Sequence, residues 1–130
     1  MPEKRVLIID DDDSFAQSIK ISLQANGYQV FCAGNKTEGR QMIDQCSPNL
    51  IILDVMMDKV CDGFDLAREI RGNESLKEIK ILMLTAIGDE IGFKYSTGAG
   101  DDRWLSVDDY VEKSITSEEL IARVNKLLGG

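Results

Sequence analysis

Apolar and polar positions alternate between two kinds of stretch. Val6-Leu7-Ile8-Ile9, Leu50-Ile51-Ile52-Leu53 and Ile79 to Leu84 are near-continuous apolar runs. Runs of this length, bounded by breakers such as Ser47-Pro48, read as strands buried on both faces, which requires helices on both sides of a parallel sheet. Between them lie apolar residues at helical spacing. The chain in order predicts a strand over Arg5–Ile9, then a helix capped by Asp12 or Asp13, carrying Phe15, Ala16, Ile19 and Leu23, and closed by Gly27. A second strand, near one edge, covers Tyr28–Ala33, and a short helix covers Thr37–Gln45 with Met42, Ile43 and Cys46 on one side. Leu50–Asp54 is the third strand, 55–62 a loop, and Phe64–Arg71 a helix broken by Gly72-Asn73. Ile79–Thr85 is the fourth strand, Asp89–Ser96 a weak helix, and Thr97–Val107 an irregular connection. Asp108–Glu112 is a short fifth strand, and Thr116 with Glu119 forms the capping box of a last helix with the stripe Leu120, Ile121, Val124, Leu127 and Leu128.

Five strand–helix units joined by right-handed crossovers favour an α/β fold: a doubly wound, flavodoxin-like, five-stranded parallel sheet of order 2-1-3-4-5 with five helices. In that order the first and third strands are neighbours and the topological switch lies between them. Both strands end in carboxylates, Asp10 to Asp13 after the first and Asp54 after the third, so one acidic crevice is expected at that edge. Thr85 and Lys113 emerge at the same edge.

Length and charge narrow the possibilities. One domain over 1–130 is expected from 130 residues. A net charge of −8 and the lack of a basic stripe argue against nucleic-acid binding by this domain. No apolar stretch approaches the roughly 20 residues that span a bilayer, and Met1-Pro2-Glu3-Lys4-Arg5 does not read as a signal peptide. Cys32, Cys46 and Cys61 are widely spaced and there is no His to join them, so zinc is not expected; they read as small apolar residues in a reduced, cytoplasmic setting.

Three carboxylates in one crevice repel one another unless a cation sits among them or one stays protonated. Only oxygen ligands are on offer, which selects a hard ion, and Mg²⁺ fits best. A carboxylate can itself attack phosphorus to give an aspartyl phosphate. Phosphoryl transfer then needs charge stabilisation on the equatorial oxygens, from the ion, the Lys113 ammonium, and the Thr85 hydroxyl with a nearby backbone N–H. Asp54 stands alone at its strand end and is assigned as nucleophile; the pair Asp10 and Asp11 is assigned to the metal. Plainer roles stand beside these: Asp12 and Asp13 as helix caps, Lys113 as a solvated charge, Thr85 as a turn residue, Tyr110 as a half-buried strand aromatic, Trp104 as loop packing, and Met56-Met57 as partial core.

The sequence resembles the receiver domain of two-component response regulators, of the stand-alone type. The resemblance rests on Leu7-Ile8-Ile9-Asp10-Asp11-Asp12, Leu50 through Met57, Asp62-Gly63-Phe64, Leu82-Met83-Leu84-Thr85-Ala86 and Asp109-Tyr110-Val111-Glu112-Lys113, in the family's order over nearly the whole chain. It implies that Asp54 accepts a phosphoryl group from the phosphohistidine of a sensor kinase or phosphotransfer protein. It implies Mg²⁺ ligation by Asp11, Asp54 and the Met56 main-chain carbonyl, with Asp10 helping through water. It further implies that Lys113 binds a phosphoryl oxygen, and that Thr85 and Tyr110 form a switch pair that alters the surface of the fourth predicted helix, fifth strand and last helix toward a downstream protein. Such a chain is no enzyme beyond its own phosphorylation and dephosphorylation, and is a monomer or weak dimer. The sequence departs from the family in three places: Ser114 replaces the usual cis proline after Lys113, Asp58-Lys59-Val60-Cys61 replaces the usual Pro-Gly loop, and 98–107 looks lengthened. A trans Lys113–Ser114 bond could displace the ammonium. Rival readings are a receiver that is never phosphorylated, an aspartate phosphatase (disfavoured because Met56 stands where its second acid would be), and a flavin module, which lacks its phosphate loop.

Overall fold

The computed structural model describes residues 4–54, 62–85 and 107–129. Five strands form one parallel sheet of order β2-β1-β3-β4-β5: β1 (Arg5–Ile9), β2 (Gln29–Ala33), β3 (Leu50–Asp54), β4 (Lys80–Thr85) and β5 (Asp109–Glu112). The described helices are α1 (Asp13–Ala25), α2 (Lys36–Cys46), α3 (Asp62–Arg71) and α4 (Ser117–Leu127). The expected sheet order and the doubly wound fold are therefore present. The helix predicted over 89–96 and the loop over 55–61 fall outside the described residues, as does nearly all of the predicted 97–107 connection.

The unbroken apolar runs are explained by the two layers they serve. Leu7, Ile9, Ile51, Leu53, Ile81 and Met83 pack on one face with Ile43 of α2 and Leu66, Ala67 and Ile70 of α3. Val6, Ile8, Leu50, Ile52, Leu82 and Leu84 pack on the other with Ala16, Ile19 and Leu23 of α1 and Leu120 and Val124 of α4. Successive strand residues point to opposite faces, so a strand clothed on both sides has no position for a polar residue. Each fully buried aliphatic side chain contributes about 1.5–3 kcal/mol, and the runs of β1, β3 and β4 supply the central part of the core.

Element ends differ from expectation by a residue or two, for local reasons. Tyr28 lies before β2, where its hydroxyl donates to Asn125 Oδ1 near the end of α4. α2 starts at Lys36 because Asn35 caps it: Asn35 Oδ1 accepts from the Glu38 N–H at 2.9 Å, and the Glu38 carboxylate accepts from Asn35 Nδ2 and from the Gly34 N–H. α3 begins at Asp62 rather than Phe64. Ile79 and Asp108 sit just ahead of β4 and β5, where side-chain bonds add to main-chain ones: Arg71 donates to the Ile79 carbonyl, and Asp108 accepts from the Ile81 N–H. Asp12 is the α1 cap, accepting from the Phe15 N–H at 3.1 Å, and Gly27, at φ +90°, provides the left-handed turn out of that helix. Cys32 is half-buried, Cys46 is buried, and neither is in a disulfide. Burial pushes both thiols up from their ordinary value, in keeping with a packing role.

Gly39 in the middle of α2 is a packing requirement. A Cβ there would lie 2.7 Å from Ile9 Cδ1 and 3.3 Å from both Ile9 γ-carbons. Ile9 is fully buried and has little room to yield. Overpacking costs about 1–3 kcal/mol, against about 1 kcal/mol returned by helix propensity. Gly39→Ala is therefore expected to lower stability by roughly 1 kcal/mol in urea unfolding. In an Ile9→Val background, which lacks the clashing Cδ1, the same substitution should be neutral or stabilising.

Candidate functional site

β1 and β3 run side by side with Ile9 opposite Leu53, so the next residues, Asp10 and Asp54, emerge together at the sheet's carboxyl edge. Here the chain leaves β1 for the outer strand β2 on one side while β3 continues toward β4 on the other, and an open α/β sheet has its crevice at such a point. Both acids are almost shut off from solvent, Asp10 at 2% and Asp54 at 5% exposure, whereas Asp11 is exposed. One carboxylate oxygen from each of Asp10, Asp11 and Asp54 lies within 4.8 Å of the others.

Lys113, just beyond β5, supplies the cationic side of the cluster. Its ammonium donates to Asp10 Oδ1 at 3.1 Å and to Asp54 Oδ2 at 3.3 Å. It also lies 2.9 Å from Asp10 Oδ2. That last approach is an ion pair out of line for a hydrogen bond, so Oδ2 is buried without a hydrogen-bond donor. Asp10 Oδ1 additionally accepts from the Asp12 N–H at 2.9 Å, and the Asp10 N–H donates to the Ala33 carbonyl, which ties the Asp10 main chain to the end of β2. The Phe15 ring, on the first turn of α1, sits 5.1 Å below the ammonium and adds a cation–π contact. Burial alone would pull the Lys113 ammonium down; the hydrogen bond to Asp10 and the charges of Asp54 and Asp10 outweigh it and raise the ammonium above its ordinary value.

The structure thus brings together Asp10, Asp11, Asp54 and Lys113. The Lys113–Ser114 bond is trans, since no cis peptide occurs among the described residues, and the ammonium nonetheless reaches both buried acids. Thr85 ends β4 opposite Glu112, the residue before Lys113, so its backbone lies at the same edge; its side chain is outside the described residues, as is Met56. Tyr110 pairs with Met83 and is 39% exposed, on the surface of the edge strand. Phe15 was read as core alone. Its place in the first helical turn after the acids was the available signal for a contact with Lys113.

The donor set suits a hard divalent cation. Among the described residues, three carboxylates face the Lys113 ammonium in a crevice where two of the acids are buried, an excess of negative charge. Asp10 Oδ2 is a buried oxygen lacking a hydrogen bond. Among the described residues all the charged donors are oxygens, which favours Mg²⁺ over softer metals.

Known proteins give the same picture. The response regulator receiver domain family matches residues 6–125, and the chain belongs to that family; it is a receiver domain of two-component signalling. Among curated proteins it is 41% identical over 128 residues to the DNA-binding dual master transcriptional regulator RpaA of Synechocystis, covering 95% of this chain and 48% of that one. The chain spans about half the length of the curated relatives it matches. Among solved structures, a candidate response regulator from Chloroflexus aurantiacus superposes with a TM-score of 0.84 at 32% identity, covering 99% of this chain and 100% of that one. The response regulator TrrA of Thermotoga maritima, solved in complex with Mg²⁺–BeF, gives 0.77 at 33% identity, with 95% and 98% covered. Among the described residues no helix is long and apolar enough to cross a membrane.

Removing the Lys113 charge exposes the cost of the acid cluster. Lys113→Met in metal-free buffer is expected to lower unfolding free energy by about 2 kcal/mol, since it leaves two buried carboxylates without their cation. The folded-state value of Lys113 is raised, so its contribution is complete below the unfolded-chain value of about 10.4. It is lost only as pH climbs from there through the folded-state value. The stability gap between wild type and Lys113→Met, followed by denaturant unfolding, should therefore be flat from neutral pH to about pH 9 and shrink above pH 10.5.

Proposed function

We propose that this domain is a Mg²⁺-dependent phosphoacceptor whose phosphorylation on Asp54 is the signal. The observation that carries the reading is the convergence of three carboxylates from the ends of β1 and β3 on one point, two of them buried, with the Lys113 ammonium bridging Asp10 and Asp54. The Mg²⁺–BeF complex of the Thermotoga relative supports it.

Asp10, Asp11, Asp54 and the Met56 carbonyl would hold Mg²⁺, with Asp10 acting through water. When bound, the ion neutralises negative charge on the transferring group. The reaction begins with an Asp54 carboxylate oxygen attacking the phosphorus of a phosphohistidine on a sensor kinase or phosphotransfer protein. The P–O bond to Asp54 forms as the P–N bond breaks, and the imidazole nitrogen leaves with the bonding pair. Lys113 places its ammonium against a phosphoryl oxygen, and the Thr85 hydroxyl takes another. The site's burial keeps bulk water from the acyl phosphate, and hydrolysis at Asp54 resets the domain without a separate enzyme.

Phosphorylation then moves the Thr85 hydroxyl inward. The Tyr110 ring, exposed on β5, follows, and the surface of β5 and its flanking helices changes toward a downstream protein. The domain is acidic and makes no nucleic-acid contact of its own; it works in the cytoplasm as a monomer or weak dimer.

Acetyl phosphate with Mg²⁺ is expected to label wild type in a bond cleaved by base and by neutral hydroxylamine, and neither chelator-treated wild type nor Asp54→Asn should take label. Retention of label by Asp54→Asn would contradict the assignment. Beryllofluoride with Mg²⁺ should shift the Tyr110 ring resonances, and an unchanged spectrum at millimolar concentration would instead favour a receiver that signals without phosphorylation.

A further inference from the structure

β5 is an edge strand of four residues, held in the sheet by β4 alone among the described strands. Lys113 follows it directly, so the ammonium is only as well placed as the strand's register. A slip of one residue would turn Lys113 to the other face. A slip of two would move it by about 7 Å.

The far end of β5 is gripped at Asp108. Its N–H donates to the Ile81 carbonyl at 2.9 Å, and its Oδ2 accepts from the Ile81 N–H at 2.8 Å, so side chain and main chain together grip one residue of β4. Arg71, the last residue of α3, donates to the same Oδ2. The other guanidinium nitrogen donates to the carbonyls of Lys77 and Ile79 at 2.8 Å each. One planar fork thus joins the end of α3, the turn before β4 and the start of β5, in the geometry for which arginine is suited. Both partners are about three-quarters covered, at 25% and 26% side-chain exposure. A further polar tie on β5, Arg123 to Asp109 at 2.8 Å, involves an arginine at 45% exposure and contributes less.

We propose that Arg71 and Asp108 are positioning residues for phosphotransfer: by fixing the β5 register they deliver the Lys113 ammonium to Asp10 and Asp54, some five residues further along the chain. This rests on the phosphotransfer reading above. It accounts for a partly covered arginine fork at the edge of the sheet opposite the acids.

The test is a double-mutant cycle. Asp108→Ala is expected to slow phosphorylation by acetyl phosphate at saturating Mg²⁺ about tenfold. In a Lys113→Met background it should change the rate by less than about twofold, because the group it positions is gone. Asp108→Asn keeps an acceptor for the Ile81 N–H and should recover most of the rate, and Mg²⁺ binding by calorimetry should not weaken when Asp108 is replaced in either background, since withdrawing the ammonium from Asp10 and Asp54 can only favour the ion. An equal loss in both backgrounds, or a parallel weakening of Mg²⁺ binding, would mean general loosening and overturn the proposal. The Lys113 side-chain ammonium resonance gives an independent reading: it should move toward that of a free lysine in Asp108→Ala. If wild type takes no phosphoryl group, the phosphotransfer reading falls, and this resonance still decides the placement, since an unmoved signal would refute the positioning role.

Discussion

Everything in this domain answers to an electrostatic constraint: acids at the ends of two buried, adjacent strands meet where water cannot screen them. The interaction that makes the folded state tolerable is the Lys113 ammonium, shared between Asp10 and Asp54 and seated on the Phe15 ring. It balances only part of the charge. The surplus is what gives the crevice its chemistry, because a divalent cation or a phosphoryl group with its counter-ion can complete what the lysine leaves undone.

The fold exists to hold that arrangement still. β1 and β3 are buried on both faces by independent hydrophobic layers, α2 and α3 on one side and α1 and α4 on the other. Their side chains have no freedom to let the strand ends drift. Gly39 permits α2 to lie close against Ile9, immediately before Asp10. On the opposite flank the short edge strand β5 carries Lys113, and its polar ties to β4 and α3 make up for its small apolar area. Rigidity is therefore greatest under the acids, and the groups proposed to move, Thr85 and Tyr110, lie on β4 and the edge.

The features legible in the sequence were those with a strong local signature. Continuous apolar runs such as Leu50 to Leu53 identified the strands, since a doubly covered strand excludes polar residues. Sheet order followed from chirality, and the meeting of Asp10, Asp11 and Asp54 followed from sheet order. What was missed has two physical origins. The Asn35 cap has a signature in the sequence, Asn followed three residues later by Glu38, but it lies ahead of the apolar stripe that predicts α2. The Arg71–Asp108 contact had no local signal, being a pairing of polar residues 37 positions apart. The same holds for the preference of Lys113 for Asp10, which depends on angles at the end of β5. The trans Lys113–Ser114 bond shows that reach can be preserved without the family's usual proline, since the lysine stem can adjust over several rotatable bonds.

The central claim is that the acids from the two strand ends form one divalent-cation site. Anomalous diffraction from crystals grown with Mn²⁺ tests it most directly. The account predicts a single strong peak within coordination distance, about 2.1–2.3 Å, of carboxylate oxygens of both Asp11 and Asp54. A peak elsewhere on the domain, or none between those two residues at millimolar Mn²⁺, would contradict it.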